Sequence, residues 1–124
     1  MGKQKNDEAT SLMHTVVKAM QDKKAKNIVS LDLRKLPNAV TSYFVICDVV
    51  TKIQSDAIYD NVLEFVKKKT GENPFHREGV ENAEWILVDY VDVVVHIFTE
   101  DARNFYNLEG LWADAGRKEY ESFG

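Results

Sequence analysis

The stretch that decides the fold is "WILVDYVDVVVHIF", Trp85 to Phe98. Its β-branched and aromatic residues predict strand, but the run is long for one strand, and two acids near its middle indicate a turn. We therefore predict a hairpin with a two-residue loop at Tyr90 and Val91. That loop sets three cross-strand pairs: Asp89 with Asp92, Leu87 with Val94, and Trp85 with His96.

Period-two alternation divides this hairpin into two faces, and moving the loop by one residue leaves the faces unchanged. The aliphatic face is expected to pack against helices and contains Ile86, Val88, Val93, Val95 and Ile97. The other face contains Trp85, Leu87, Asp89, Asp92, Val94, His96 and Phe98. Aromatics mixed with charge are typical of a recognition surface. The alternative, in which a helix or strand covers Trp85 and Phe98, is favoured by the usual burial of large aromatics.

The two acids of the hairpin also raise an enzymatic alternative. As cross-strand neighbours, Asp89 and Asp92 would have Cβ atoms about 5 Å apart and could share a hard cation such as Mg²⁺. His96 would lie about 10 Å further along the strand and could not join them. The chain has no phosphate-binding loop, dinucleotide motif, nucleophile elbow or CxxC. Paired acids at a turn are common for turn chemistry alone, so we do not favour a metal or phosphoryl-transfer site at these residues. A divergent metal-dependent nucleotidyltransferase or phosphohydrolase that uses Asp89 and Asp92 is kept as the alternative.

Outward from the hairpin, apolar residues at spacings of three and four predict an amphipathic helix over Asp7 to Lys24. "NIVSLDL" alternates like a strand, and "SYFVICDVV" is typical of a central strand buried on both faces. Thr51 and Gln54 form a capping box that starts a second helix, which ends at Gly71. The segment "ENPFHREGVENAE" is predicted to be a connection that holds at most one short strand.

Thr99 is expected to cap a last helix, with a buried face made by Phe105, Leu108, Leu111 and Trp112. The order of elements predicts a single α/β (α+β) domain over residues 1–124, with a sheet flanked by helices. We expect an ordered core over about 7–115 and a frayed tail over 116–124.

Composition narrows the class of protein. The 124 residues carry a formal net charge of -4, so no global positive field favours sequence-specific nucleic-acid binding, and a basic protein partner suits the chain better. One cysteine, Cys47, excludes an intrachain disulfide and fits a reducing compartment. No secretory signal or membrane-spanning run is visible, so a cytoplasmic protein without membrane contact is expected.

Several motifs resemble those of the ribosomal silencing factor family, also called Iojap or DUF143. They are "EWILVDYVDVVVHIF" followed by "RNFYNLEGLW", together with "SYFVIC", "TKIQ" and "REG". The resemblance covers roughly Lys26 to Asp114. The chain departs from the family pattern at Val91, where Gly is usual, at Asp48 and Val49 in place of Ser and Gly, and at Ser42 in place of Asp.

The resemblance implies a non-enzymatic factor, with no catalytic residues, resident metal or cofactor, that binds the large ribosomal subunit through the ribosomal protein numbered fourteen. Such a factor blocks the joining of the small subunit and represses translation when nutrients are scarce. It also implies a mixed sheet similar to a nucleotidyltransferase core without its catalytic residues, and a possible homodimer. The partner-binding residues expected from the hairpin are Trp85, Leu87, Asp89, Tyr90, Asp92, His96 and Phe98. The motif residues of the closing helix are expected to act mainly in packing and in support of the hairpin; they are Arg103, Tyr106, Leu108, Glu109 and Trp112.

Overall fold

The computed structural model describes residues 2–123, with side chains from residue 8 to residue 123. The chain forms a mixed sheet in the strand order β3-β4-β5-β2-β1-β6, in which β2 and β5 are parallel and the other neighbours antiparallel. The helices are α1 (Gly2–Asp22), α2 (Lys52–Thr70), α3 (Glu100–Tyr106) and α4 (Leu108–Leu111). The strands are β1 (Lys26–Asp32), β2 (Tyr43–Val49), β3 (His76–Glu78), β4 (Trp85–Asp89), β5 (Val93–Thr99) and β6 (Gly116–Tyr120).

The first face of the sheet forms the main core against α1 and α2. The predicted apolar stripe of α1 is buried there, and so is the whole aliphatic face of the hairpin. Every residue of β2 is buried, as predicted for a central strand. Thr51 caps α2 by accepting a hydrogen bond from the Gln54 N–H at 3.1 Å, while the Gln54 side chain accepts from Val50 rather than from Thr51. Gly71 ends α2 in the left-handed conformation.

The second face of the sheet carries a smaller core under α3, α4 and the connection that follows β1. Its buried members are Val29, Leu31, Leu33, Phe44, Ile46, Val94 and Phe98. Leu108 and Trp112 pack against it from the α4 region. The sheet is therefore covered on both faces, although less completely on the second face.

Two expectations about the C-terminal part of the chain were wrong. Residues 116–120 are not frayed, because β6 pairs antiparallel with β1 and the hydroxyls of Tyr120 and Ser30 lie 3.0 Å apart. The last helix is not continuous either. Asn107 adopts φ 48°, ends α3 and caps α4. This break changes the helical phase, so Phe105 and Leu111 are exposed while Leu108 and Trp112 are half-buried.

Candidate functional site

The β4–β5 hairpin has a register two residues away from the predicted one. Its cross-strand pairs are Trp85 with Phe98, Leu87 with His96, and Asp89 with Val94. The Tyr90 N–H donates to the Val93 carbonyl at 2.9 Å, so the two-residue loop consists of Val91 and Asp92. Because the shift is an even number of residues, each strand residue keeps its predicted face.

The tip of this hairpin is held in a strained but well-anchored conformation. Val91 has φ 76°, which costs a residue with a Cβ about 1–2 kcal/mol. The Asp89 carboxylate accepts from the Val91 N–H at 2.7 Å, and the Thr41 hydroxyl donates to the Val91 carbonyl at 2.8 Å. The N–H groups of Ser42 and Tyr43 donate to the Asp92 carbonyl. These bonds tie the tip to the start of β2 and leave the Val91 side chain exposed.

Three of the predicted partner-binding residues are not exposed in the folded chain. Tyr90 is not at the tip but lies in the main core, where burial raises the pKa of its hydroxyl. His96 and Phe98 are 3% and 1% exposed beneath the α3 region. The alternative, in which Trp85 and Phe98 are covered, is correct for Phe98, because α3 turns back over the end of β5, whereas Trp85 is only half-buried.

His96 is the centre of the buried aromatic cluster on the second face. Its Nδ1 accepts a hydrogen bond from the Trp85 indole N–H at 3.0 Å, which places the proton of the neutral ring on Nε2. Its ring packs edge-on against Phe44 at a centroid distance of 4.7 Å. Burial lowers the pKa of His96 to about 3, so the ring stays neutral at physiological pH. The hydrogen bond to Nδ1 fixes the orientation of the Trp85 indole, while Nε2 is buried without a hydrogen-bond partner among the described residues.

The two acids of the hairpin do not face each other. Asp89 pairs with Val94 on the second face. Asp92 lies in the loop and lines a shallow cavity with Glu8 and Lys69, on the side of α1 and α2. Over residues 8–123, no group of three or more His, Cys, Asp or Glu side chains could hold a metal ion. The predicted pairing that would let Asp89 and Asp92 share a cation was therefore wrong.

The accessible part of the second face is an apolar strip that continues from β4 onto α3. Trp85 and Leu87 are half-buried, and the rings of Trp85 and Tyr106 lie 4.6 Å apart. Tyr106 contacts Phe105, which is 81% exposed. We call this surface the β4–α3 strip and define it by Leu87, Trp85, Tyr106 and Phe105. Sequence reasoning missed Phe105 and Tyr106 because a continuous helix would have buried Phe105 and left Tyr106 in a packing role.

A network of charged side chains, centred on the mostly buried Arg103, fixes α3 against the sheet. The Arg103 guanidinium donates to Asp48 at 3.1 Å, to the Asn27 carbonyl at 2.6 Å, and through two nitrogens to Glu109. Glu109 also pairs with Arg117 on β6. Hydrogen bonding from Arg103, reinforced by Arg117, lowers the pKa of Glu109. The Arg103 network thus connects α3 and α4 to three strands. Arg103, which the sequence assigned mainly to packing, holds these elements together through its charge.

Comparison with known proteins places this architecture in one group. A family model described as ribosomal silencing factor during starvation matches residues 6–123. The ribosomal silencing factor of Halalkalibacterium halodurans is 39% identical over 110 residues, which cover 89% of this chain and 92% of that protein. The chloroplastic protein Iojap of Arabidopsis thaliana is 34% identical over 89% of this chain and 46% of its own length. A crystal structure of a Chromobacterium violaceum protein has a TM-score of 0.79 and 30% identity, and the match covers 93% of this chain and 92% of that one. No helix of the described residues is both long and apolar enough to cross a bilayer.

Proposed function

The chain belongs to the ribosomal silencing factor family, and from this premise we propose that it binds the large ribosomal subunit through the ribosomal protein numbered fourteen. Bound there, it sterically prevents the small subunit from joining and represses translation under nutrient limitation. We propose the cytoplasm as the place of action. This function needs no catalytic group and no cofactor, since occupancy of a surface is sufficient.

The observation that carries this proposal is the β4–α3 strip. It exposes aromatic and aliphatic side chains next to each other, which is the composition of interface centres, and Glu78, Glu84 and Asp89 lie around it. An apolar strip with acidic neighbours suits a basic protein surface better than it suits ribosomal RNA, whose phosphates it repels. We therefore propose Trp85, Leu87 and Asp89 of the predicted set as contacts, together with Phe105 and Tyr106. Asp92 faces α1 and α2 and lies outside this surface.

The geometry of the strip also fits a steric mechanism. The strip lies on a rigid platform, because β4 is hydrogen-bonded on both sides within the sheet and the Arg103 network fixes α3. A rigid surface loses little conformational entropy on docking. Less of the free energy gained by burying that surface is therefore offset by ordering it. The remainder of the domain then projects from the docking surface and excludes a second large partner.

Co-sedimentation with purified large subunits tests the docking surface. Phe105→Ser is expected to weaken binding at least tenfold, roughly the effect of removing an interface anchor. Ile53→Ser is the matched control, because Ile53 is 83% exposed on α2, on the opposite side of the sheet. If the native chain does not sediment with large subunits, the proposed function is wrong. If Phe105→Ser and Leu87→Ser both bind like the native chain, the chosen surface is wrong.

The blocking step is tested separately from binding. Large and small subunits are mixed with increasing amounts of the native chain, and joined ribosomes are measured on sucrose gradients. We expect joined ribosomes to decrease as the chain saturates the large subunit, and Phe105→Ser to require a proportionally higher concentration. Saturated large subunits that still join small subunits would contradict the steric mechanism.

We further propose that the free chain forms a homodimer through the same strip, because a second copy would remove the exposed aromatics from water. Sedimentation velocity is expected to show a concentration-dependent dimer that Phe105→Ser weakens. A monomer at all concentrations would contradict this proposal without affecting the ribosomal one.

A further inference from the structure

A groove of about 310 Å³ lies beside the β4–α3 strip, between β4, α3 and the loop that precedes β4. It is lined by Leu87, Trp85 and Tyr106, and by the acids Glu78 and Glu84. Tyr106 is 49% exposed although its ring packs against Trp85 and Phe105, so part of its surface is accessible to a ligand. The groove lies at the surface, outside the two hydrophobic cores, and no lysine or arginine lines it.

The loop that forms one wall of the groove is fixed in place. Gly79 has φ 79°, and a Cβ at this position would lie 2.0 Å from the Trp85 carbonyl oxygen. The Gly79 carbonyl accepts a hydrogen bond from the Ala83 N–H at 2.8 Å. This close approach holds the loop, and with it Glu84, against the start of β4. The groove is therefore formed before any ligand arrives, which lowers the entropic cost of binding.

We propose that this groove binds an arginine side chain of the ribosomal partner protein; the inference rests on the proposed function and names the chemistry that its surface recognises. The aliphatic part of an arginine packs on Leu87 and Trp85, as amphipathic side chains do on apolar surface. Its planar guanidinium then lies near the Tyr106 ring and donates to the carboxylates of Glu78 and Glu84.

The charge distribution selects this ligand over others. The Glu84 carboxylate contacts no cation among the described residues, whereas Glu78 accepts a hydrogen bond from His76 at 2.9 Å. Two acids repel a phosphate, which excludes the ribosomal RNA backbone as the ligand of this groove. Arginine is preferred to lysine because its flat, weakly hydrated cation both stacks on an aromatic ring and donates several parallel hydrogen bonds.

The first experiment uses the isolated chain and needs no ribosome. Nuclear magnetic resonance follows the Trp85 indole and Tyr106 ring signals during titration with a short glycine peptide that contains one arginine. The matched probe is the same peptide with citrulline, which has nearly the same shape but no charge. We expect saturating shifts with the arginine peptide that disappear in Glu78→Gln/Glu84→Gln. Equal shifts with both peptides, or no shifts with either, would overturn the inference.

The second experiment measures affinity for purified large subunits. Glu78→Gln/Glu84→Gln is expected to weaken binding about tenfold, because it removes two partly exposed ion pairs with the arginine. The affinity should also become less dependent on salt concentration. Glu81→Gln is the control, since Glu81 is exposed in the same loop but does not line the groove. An equal loss in both variants would overturn the inference in favour of a general effect of charge.

The two proposals fail in different ways. If the native chain does not bind large subunits while the arginine peptide still binds the groove, the proposed function fails and the groove remains an arginine site. If the native chain binds large subunits and the double variant binds equally well, the arginine site fails and the proposed function stands. Circular dichroism of each variant confirms that the fold is unchanged, as expected for isosteric changes at exposed positions.

Discussion

Replacement of Arg103 by Met is expected to destabilise the fold by about 3 kcal/mol, at the lower end of the cost of breaking a buried ion pair. The Arg103 and Asp48 side chains are only 10% and 5% exposed. In Arg103→Met, the Asp48 carboxylate would keep one described partner, the Asn27 amide at 3.0 Å. Glu109 loses its two bonds to Arg103 but keeps Arg117 and is 21% exposed, so its contribution to the loss is smaller.

Urea denaturation at neutral pH measures this loss, and a double-mutant cycle identifies its cause. If the uncompensated Asp48 charge dominates, Asp48→Asn/Arg103→Met is more stable than Arg103→Met by at least 1 kcal/mol, the scale on which removing a buried unpaired charge acts. Arg103→Lys is the control for charge alone, because a lysine cannot donate the forked pair of bonds to Glu109. A loss below about 1 kcal/mol for Arg103→Met would refute the reasoning, since that is the range of exposed ion pairs. So would a double variant no more stable than the single one.

Three further predictions concern the remaining special positions. In the folded chain His96 is neutral down to its pKa of about 3, whereas in the unfolded chain it binds a proton below about pH 6.5. The contribution of His96 to the free energy of unfolding is therefore fully present above pH 6.5 and is lost as the pH falls toward 3. Urea titrations should show a slope of up to about 1.4 kcal/mol per pH unit between pH 6 and 4, which His96→Gln flattens; an unchanged slope would contradict the assignment. Gly79→Ala should destabilise more than Gly71→Ala by at least about 2 kcal/mol, because both glycines have φ near 78° but only Gly79 meets a backbone oxygen; equal losses in urea would show that the contact relaxes. Val91→Gly should stabilise the chain by about 1 kcal/mol in the same assay through relief of a positive φ, and a loss would show that the valine packs favourably.

Most of the secondary structure could be predicted from local pattern. The apolar stripe of α1, the doubly buried β2 and the aliphatic face of the hairpin all lie where their periodicity placed them. The cap at Thr51 and the left-handed glycine at Gly71 were also correct. These features depend on residues close in sequence, so period and capping chemistry are sufficient to predict them.

The register of the hairpin could not be predicted in the same way. Alternation cannot distinguish registers that differ by an even number of residues. The predicted loop at Tyr90 and Val91 and the observed loop at Val91 and Asp92 therefore give the same two faces. The observed loop is selected by contacts from outside the hairpin, in which Thr41, Ser42 and Tyr43 bond to the carbonyls of Val91 and Asp92. The free energy of these hydrogen bonds exceeds the cost of a positive φ at Val91.

The sequence by itself determined which hairpin residues share a face and which face is aliphatic, because side-chain alternation in a strand is a local property. Only the tertiary structure decided which part of the mixed face meets water. The left-handed turn at Asn107 and the buried Arg103 network place α3 over His96 and Phe98, while Trp85 and Leu87 remain accessible beside Phe105 and Tyr106. Burial on that face depends on where α3, which directly follows β5, folds back over the sheet. The pattern of residues along the chain does not specify that packing position.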